Sequence, residues 1–521
     1  MPDDLQLGLL DEQAVSVSDG ESEDVPKPRD TASASPALSH FLSAVSLPGR
    51  HLKSVIWRPL LLPVVAFLLP SFLRPQHAGH QEGSRPRSAT AYLDGIRGIA
   101  SLFVFFNHYA MQAFITSEGW GRKNSMNHGH ILKLPFLRLL YQGAPAVCLF
   151  FVISGYVLSY RLLSLIHRRA YSDFYPAVSS LVFRRGIRLF LPTMISTLAI
   201  VLLLRLGVYE LTREFAYTKA YFRYYMEIHP DRLGSTFAQL GSWVGYMYEF
   251  VAFFTWRNGD GTPQYDLHLW AIPVEFRCSI CLFVVIVGTA RLRTVVRLVI
   301  VGAIALFVHR NSRWDLFLFL CGMVLAELDI IRGAHRHVSG TSSPTLCPQE
   351  QHLPPFRGRY KRILWSLSSL LGLYLLSQPD YQGEVTPGWK FLTSIIPAWW
   401  TEKQFRFWQP LGAIVFILAV GHSRGWQKFF NSAPMQYLGK ISYAMYLMHG
   451  PVMHVIGYHW ESMAYSITGI EGYWFNVGFF FGACFCIPTV IWAADIFWRA
   501  VDVPTVAFAK WFEKWCTVGD E

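Results

Sequence analysis

The stretch YLDGIRGIASLFVFFNHY, from Tyr92 to Tyr109, places an arginine and a histidine eleven residues apart inside an apolar segment. Eleven residues of α-helix turn through about 1,100° and rise about 16 Å, so Arg97 and His108 are predicted to share one helix face. Ionisable groups inside a membrane span are costly and usually mark a functional pathway. A cation at the mouth of a helix and a titratable imidazole deeper in it suit a long anionic ligand with a buried reactive end, such as an acyl-CoA. The alternative is a histidine hydrogen-bonded within a helical bundle and an arginine that extends to the interface.

Composition indicates a polytopic membrane protein. Apolar residues make up 52% of the 521 residues and charged residues only 16%, a balance typical of many lipid-facing helices. The formal net charge is +11. In a chain this apolar, we assign the basic excess to cytosolic loops and anionic lipid, and we predict no nucleic-acid partner. The cysteines show neither a disulfide framework nor the spacing of a zinc site, so no metal is predicted.

Four regions are predicted along the chain. Residues 1–54 are rich in Ser, Asp, Glu and Pro, and we expect a disordered cytosolic tail with no signal peptide. Residues 55–89 are predicted to hold an interfacial or re-entrant helix over 55–73 and a linker, because Arg58 and three prolines interrupt the apolar run. Residues 90–505 form the predicted membrane domain, and residues 506–521 a C-terminal amphipathic tail.

The predicted fold is all-α, with about ten transmembrane helices. The predicted spans are 96–116, 143–160, 189–209, 269–290, 296–309, 315–331, 363–378, 407–421, 441–458 and 474–497. Arginines cluster in the predicted loop 161–188 and in later loops on the same side, which the positive-inside rule makes cytosolic. Both termini are then cytosolic, in an endomembrane or the plasma membrane. On the other side, the apolar segment 237–256 is expected to dip into the membrane.

Glu275, in the segment HLWAIPVEF, is a second ionisable group within the predicted spans. With this topology it enters from the outside and reaches a depth similar to that of His108. A carboxylate beside an imidazole orients the ring and raises its basicity, as a histidine that takes a proton from a hydroxyl requires. The alternative is that Glu275 neutralises Arg277 or another buried cation.

Three arginines are candidates for phosphate binding. Arg184, Arg185 and Arg188 lie at the predicted cytosolic lip of the third span. Guanidinium groups bind phosphates bidentately, so these side chains could hold the phosphates of a CoA together with Arg97. Anchoring of the helix by the positive-inside rule is the alternative.

Three polar residues in the segment LGKISYAMYLMHGPV are candidates for acceptor binding. Ser442, Tyr446 and His449 follow the spacing i, i+4, i+7 and therefore share a helix face. They could hydrogen-bond an acceptor hydroxyl. Packing of the bundle, with satisfied polar tips, is the alternative.

Six segments in this order resemble the integral-membrane acyltransferase type 3 family over about residues 90–505. They are YLDGIRGIASLFVFFNHY, CLFFVISGYVLSYR, FRRGIRLFLP, HLWAIPVEF, FLCGMVLAEL and LGKISYAMYLMHGP. The resemblance implies a ten-span enzyme that moves an acetyl or other short acyl group from acyl-CoA to a hydroxyl of a sugar, lipid or secondary metabolite. Acyl-CoA is then a co-substrate, and no bound cofactor is expected.

The resemblance also assigns roles to particular residues. The family's histidine, arginine, RRxxR lip, tryptophan and acid fall on His108, Arg97, Arg184, Arg185, Arg188, Trp270 and Glu275. The family's WSLxxE pattern reads WAIPVE here, a variant that resembles the fungal branch. His108 would act as general base or would itself take the acyl group. The competing class is a non-catalytic transporter or lipid-binding membrane protein that uses the same buried groups as a relay.

Overall fold

The structure, a computed structural model, describes residues 66–74, 88–121, 129–227, 229–254, 265–334 and 355–518, with side chains from residue 360 in the last range. The predicted tail 1–54 lies outside these residues. Residues 14–86 form a unit of their own, of which only 66–74 is described. This piece contains a 3-10 turn, Ser71–Leu73, so the interfacial helix predicted over 55–73 is described only at its end.

In the chain after residue 86, every described regular element of two or more turns is helical. The helices are α1 (Ala91–Ala113), α2 (Gly143–His167), α3 (Tyr171–Arg205), α4 (Glu210–Ala216), α5 (Thr236–Val251), α6 (Ala271–Thr289), α7 (Thr294–Arg310), α8 (Trp314–Arg332), α9 (Pro355–Leu376), α10 (Lys390–Ser394), α11 (Phe405–Gly421), α12 (Arg424–Phe430), α13 (Ala433–Val452), α14 (Tyr458–Thr468), α15 (Gly472–Phe497) and α16 (Val503–Cys516). Short 3-10 turns, among them Leu267–Trp270, and two π turns complete them. The all-α prediction is confirmed.

Four helical stretches are long and apolar enough to cross a membrane. They are Gly143–His167, Tyr171–Arg205, Leu267–Thr289 and Gly472–Cys516, and α11 with α12, bent by 98°, is a fifth candidate. All ten predicted spans coincide with helices. The remaining helices fall short because they are too short, such as α7 with 17 residues, carry several charges, such as α8, or contain too many polar residues, such as α1 and α13. The count of ten spans therefore stays a prediction.

Three predicted regions differ in the structure. Helix α3 has 35 residues and begins at Tyr171, so Arg184, Arg185 and Arg188, which were predicted for a loop, lie on the helix itself. Helix α5 covers most of the predicted dipping segment 237–256, and its 16 residues rise only about 24 Å, less than a hydrocarbon core of about 30 Å. The predicted C-terminal tail is helical, since α16 begins at Val503.

Glycines let neighbouring helices touch backbone to backbone. A Cβ atom at Gly155 of α2 would lie 2.2 Å from the carbonyl oxygen of Phe319 in α8, and one at Gly322 would lie 2.3 Å from the carbonyl oxygen of Val152. Small residues at such crossings give membrane helices their close van der Waals contact, because lipid supplies no hydrophobic drive for helix association. The glycine of the FFVISG segment is therefore a packing requirement.

A glycine contact of the same kind holds α1 against α13. A Cβ atom at Gly98 would lie 2.4 Å from the backbone nitrogen of Gly439. The helix that carries Arg97 and His108 is thus fixed against the helix that carries Ser442, Tyr446 and His449, which the sequence alone could not place beside it.

We predict that Gly155→Ala destabilises the bundle by at least about 1 to 3 kcal/mol, because the added methyl group meets backbone that no rotamer change can move. Gly302→Ala in α7 is the matched control, since a Cβ atom there meets nothing within 4 Å, and it should gain up to about 1 kcal/mol of helix propensity. Thermal unfolding of the two purified variants in detergent measures both changes. Equal unfolding temperatures would show that the α2–α8 contact is looser than described.

Candidate active site

Glu227 lies at the centre of the candidate site. It sits in the loop between α4 and α5, and only 2% of the residue is exposed. Its Oε1 atom lies 3.2 Å from Nε2 of His268 and 3.4 Å from Nδ1 of His108, and its Oε2 atom lies 2.7 Å from Nε2 of His454. One buried carboxylate therefore faces three imidazoles.

His268 is held between two carboxylates. Its Nδ1 atom lies 2.6 Å from Oδ1 of Asp266, opposite its contact with Glu227. Asp266 also caps the 3-10 turn Leu267–Trp270 by accepting a hydrogen bond from the backbone N–H of His268. Both ring nitrogens can donate only when the imidazole is protonated, so this environment stabilises an imidazolium.

His108 and His449 complete a cluster of rings with His268. The centroid of the His108 ring lies 4.2 Å from that of His268 and 5.4 Å from that of His449. Nδ1 of His449 contacts the carbonyl oxygen of Met445 at 3.2 Å. Nδ1 of His108 and Nε2 of His449 are buried and have no hydrogen-bond partner among the described residues. These two nitrogen atoms are therefore open to a ligand, a proton or a metal ion.

In the loop that carries Glu227, the pKa values of Glu227 and His229 are both shifted. Burial raises the pKa of Glu227, but the charge of His268 and the hydrogen bonds from the imidazoles lower it more, so its pKa lies well below the usual range. His229, two residues on, is packed between aromatic rings, with its centroid 5.7 Å from that of Tyr458. Burial lowers the pKa of His229 to about 3, with smaller contributions from His454 and Arg213. Glu227 is therefore charged and His229 neutral at pH 7.

The predicted pairing of Glu275 with His108 is not what the structure has. Oε1 of Glu275 accepts hydrogen bonds from Nη2 of Arg185 at 2.7 Å and from the hydroxyl of Ser154 at 3.1 Å. Arg277 instead pairs with Asp315, at 3.3 Å. Glu275 thus neutralises Arg185, a buried arginine of α3. This agrees with the alternative interpretation, in which Glu275 neutralises a buried cation. Glu227 lies beside His108 instead.

The arginines of the predicted phosphate site divide into two groups. Arg184 pairs with Glu513 at 3.0 Å, and Arg185 is held by Glu275 and by Ser279. Arg97 has only a loose contact with Asp94, at 3.6 Å, and Arg188 and Arg97 both interact electrostatically with Asp502. Arg97 and Arg188 thus share Asp502 as a charged neighbour, whereas Arg184 and Arg185 pair with Glu513 and Glu275.

The predicted acceptor residues lie on the inner face of α13. Ser442 and His449 are buried, and the hydroxyl of Tyr446 donates to the carbonyl oxygen of His268, which ties α13 to the turn of the site. Trp270, two residues after His268, lies beneath the guanidinium of Arg406, which is 5.9 Å from its ring centroid. Of the predicted site residues, His449 has a ring that meets those of His108 and Tyr446, with centroids 5.4 Å and 6.0 Å away.

Four residues of the cluster were missed at the sequence level: Glu227, Asp266, His268 and His454. His268 is the first residue of the segment HLWAIPVEF and Asp266 lies two residues before it, so a search for ionisable groups just before Trp270 would have found them. Glu227 and His454 offered no such signal. Glu227 lies in an aperiodic loop, and the periodicity of α13 gives no information about which loop folds against it.

Comparison with known proteins identifies the class. Residues 90–498 match the profile of a family described as an acyltransferase domain, so the chain belongs to this family, and the resemblance to the integral-membrane acyltransferase type 3 family is confirmed. It is an acyltransferase, and its apolar helices make it a multi-pass membrane protein. This membership argues against the competing class of a non-catalytic transporter or lipid-binding protein.

Individual relatives are fungal. The chain is 30% identical to the O-acetyltransferase PaAT-1 of Phomopsis amygdali over 455 residues, 84% of this chain and 87% of the relative. It is 25% identical to the acyltransferase R4 of a Phoma species and to the acyltransferase clz18 of Cochliobolus lunatus, each over 82% of this chain and 96% of the relative. No solved structure matches the chain.

We predict that Glu227→Gln lowers turnover, whereas Glu275→Gln lowers stability. Glu227→Gln should lower turnover per folded molecule by about a hundredfold or more, because the carboxylate that faces His108 is lost. Glu275→Gln should lower the free energy of unfolding by about 1.5 to 3 kcal/mol, because Arg185 loses its charged partner. Turnover and thermal unfolding, measured on both variants, separate the two roles. The opposite pattern, with the larger loss of turnover in Glu275→Gln, would restore Glu275 as the partner of His108.

His229 predicts a pH dependence of stability. Its folded pKa of about 3 lies below the ordinary histidine value of about 6.5, so between these pH values the unfolded chain binds a proton that the folded chain does not. Stability should therefore fall as the pH drops from about 6.5 towards 3, by at most about 1.4 kcal/mol per pH unit from this residue. His229→Phe keeps a ring in the aromatic stack and should flatten the fall. Unfolding temperatures measured from neutral to acidic pH test this, and an equally steep fall in the variant would contradict it.

Proposed function

We propose that this enzyme moves a short acyl group, acetyl in the first instance, from acyl-CoA to a hydroxyl group, with His108 as the general base. The proposal depends on one observation, the position of Glu227 3.4 Å from Nδ1 of His108. A carboxylate at Nδ1 favours the tautomer with its proton on that atom, which leaves the lone pair of Nε2 for the acceptor hydroxyl. The contact is poorly aligned for a hydrogen bond in the unliganded protein, and such contacts commonly tighten when substrate binds.

The charges around His108 favour this chemistry. Two carboxylates, Glu227 and Asp266, lie among the imidazoles of the cluster and supply an excess of negative charge beside His108. When Nε2 of His108 takes the hydroxyl proton, the new positive charge cancels this excess. The freed oxygen then attacks the thioester carbonyl, and CoA leaves as the thiol after it regains a proton. A preorganised site that neutralises developing charge in this way needs little reorganisation during the reaction.

The same geometry serves a two-step route. Nε2 of His108 would attack the thioester and form an acyl-imidazole, while the C–S bond breaks and CoA leaves and takes up a proton as the thiol. The acceptor hydroxyl would then attack the acyl carbon, and Nε2 of His108 would leave and take up the hydroxyl proton. The two routes share the donor site, the acceptor site and the role of Glu227. They differ in whether labelled acyl groups become attached to the protein when the acceptor is absent.

For the donor, we assign the phosphates of acyl-CoA to Arg97 and Arg188. These side chains share Asp502 as an electrostatic neighbour, and Arg97 lies eleven residues before His108 on α1. That separation corresponds to a rise of about 16 Å, which suits the pantetheine arm. Arg184 and Arg185 are already paired with Glu513 and Glu275, so we assign them to the support of α3 beside the phosphates.

For the acceptor, we propose a sugar, lipid or secondary metabolite that reaches the inner face of α13. We assign acceptor binding to Nε2 of His449, to Ser442 and to the turn held by Tyr446, and we assign Trp270, which ends that turn, to the same role. The name of PaAT-1 supports an acetyl group and an oxygen acceptor for this chain as well. We further propose ten spans, cytosolic termini and residence in an endomembrane or the plasma membrane, from the arginine distribution.

Replacement of His108 should abolish transfer without unfolding the protein. Cells that lack the chain, complemented with wild type or with His108→Ala, are compared by mass spectrometry of metabolites and glycans. We expect one acyl mass that wild type restores and His108→Ala does not, at equal amounts of folded protein. Restoration by His108→Ala would exclude His108 as base and as nucleophile.

Replacement of Arg97 should weaken donor binding. Arg97→Ala removes one charge-assisted contact, which is worth about 1.5 to 3 kcal/mol, and should weaken acetyl-CoA binding about ten- to a hundredfold. Lysine should restore binding only in part, because it cannot form the bidentate fork. Arg291→Ala, an exposed arginine of the α6–α7 loop, is the matched control. Calorimetry with acetyl-CoA measures all three variants, and unchanged affinity in Arg97→Ala refutes the assignment.

A further inference from the structure

The three histidines of the site have the geometry of a metal centre. The candidate ligand nitrogens of His108, His268 and His449 all lie within 4.8 Å of one another. The three residues come from α1, from the turn Leu267–Trp270 and from α13, so no local sequence motif announces them. The sequence analysis accordingly predicted no metal.

Two of these histidines are oriented as metal ligands usually are. Metal-binding histidines almost always donate their second ring N–H to a carboxylate or a backbone carbonyl, which fixes the ring. Nδ1 of His268 contacts Asp266 at 2.6 Å, and Nδ1 of His449 contacts the carbonyl oxygen of Met445 at 3.2 Å. In His449, Nε2 is then left for the ion and is buried without a partner among the described residues. In His268, Nε2 contacts Oε1 of Glu227 at 3.2 Å, so the ion would replace the proton between these two atoms.

A fourth ligand and a balancing charge are already present. Oε1 of Glu227 lies 3.2 Å from Nε2 of His268 and 3.4 Å from Nδ1 of His108. Three imidazoles and one carboxylate form a set of nitrogen and oxygen donors that suits tetrahedral Zn²⁺. Bonds of about 2.1 Å place tetrahedral ligand atoms about 3.4 Å apart, so small side-chain rotations must draw the rings together.

We propose that His108, His268, His449 and Glu227 bind one Zn²⁺-class ion, and that this ion inhibits the enzyme. Binding requires that His268 lose its second proton, which the metal displaces. An ion on Nδ1 of His108 leaves the ring proton on Nε2, so this nitrogen can no longer accept the proton of a hydroxyl. The inhibition rests on the proposed role of His108, whereas the binding does not.

The binding test uses the full chain in detergent, stripped of metal with a chelator and dialysed against Zn²⁺ or Co²⁺. We expect one ion per chain and, with Co²⁺, the intense ligand-field bands of a tetrahedral site. Asp266→Asn, which replaces the carboxylate partner of His268 with a neutral amide, should weaken binding about 10- to 100-fold. His449→Gln, which removes a ligand, should weaken it more. His309→Gln is the control, a buried histidine packed on Trp400 and Phe407, and it should bind as wild type does.

The unfolding temperature of each variant shows whether it is folded, and only variants within a few degrees of wild type are compared. If His449→Gln does not fold, Asp266→Asn still tests the metal site. Absence of binding by wild type, or equal affinity in wild type and Asp266→Asn, overturns the metal site. Transfer measured with and without Zn²⁺ tests inhibition: loss of activity that a chelator reverses supports it, and full activity of a Zn²⁺-saturated chain overturns it. If the metal-free chain does not transfer acyl groups, the proposed function is contradicted. The metal binding measured by dialysis does not depend on that result.

Discussion

A carboxylate buried in the middle of a helical bundle must be balanced, because an isolated charge removed from water costs many kcal/mol. Glu227 meets this constraint with three imidazoles, and the positions of His108, His268 and His454 follow from it. The three histidines come from a long helix, a 3-10 turn and a π turn. The charge of one loop residue thus ties together segments that are distant in the sequence.

The contact surfaces of the helices make this arrangement possible. Gly98 allows α1 to lie against the backbone of α13, so the histidines of those two helices can meet. Gly155 and Gly322 join α2 to α8 in the same manner. Tyr446 then connects α13 to the carbonyl group of His268. Packing therefore sets the distances between the helices, and the contacts with Glu227 and Asp266 set the orientations of the histidine rings.

Part of this picture could be read from the sequence and part could not. Hydrophobic runs predicted ten segments that all overlap helices, and helical periodicity predicted that Arg97 and His108 share a face, because both signals are local. The partner of His108 is a tertiary question. Glu275 was expected there, on the assumption that similar depth means contact, but rotation of α6 about its axis turns Glu275 towards Arg185. Glu227 lies in a loop without periodicity, and only the folded structure could place it.

The central claim is that Glu227 acts through His108 and not independently of it. A double-mutant cycle tests this most directly, with acyl transfer measured for wild type, His108→Ala, Glu227→Gln and the double variant. Residues that act as one unit show strongly non-additive losses. We predict that the double variant is no slower than His108→Ala alone. Losses that multiply, so that Glu227→Gln slows the His108→Ala enzyme as much as it slows wild type, would contradict the account.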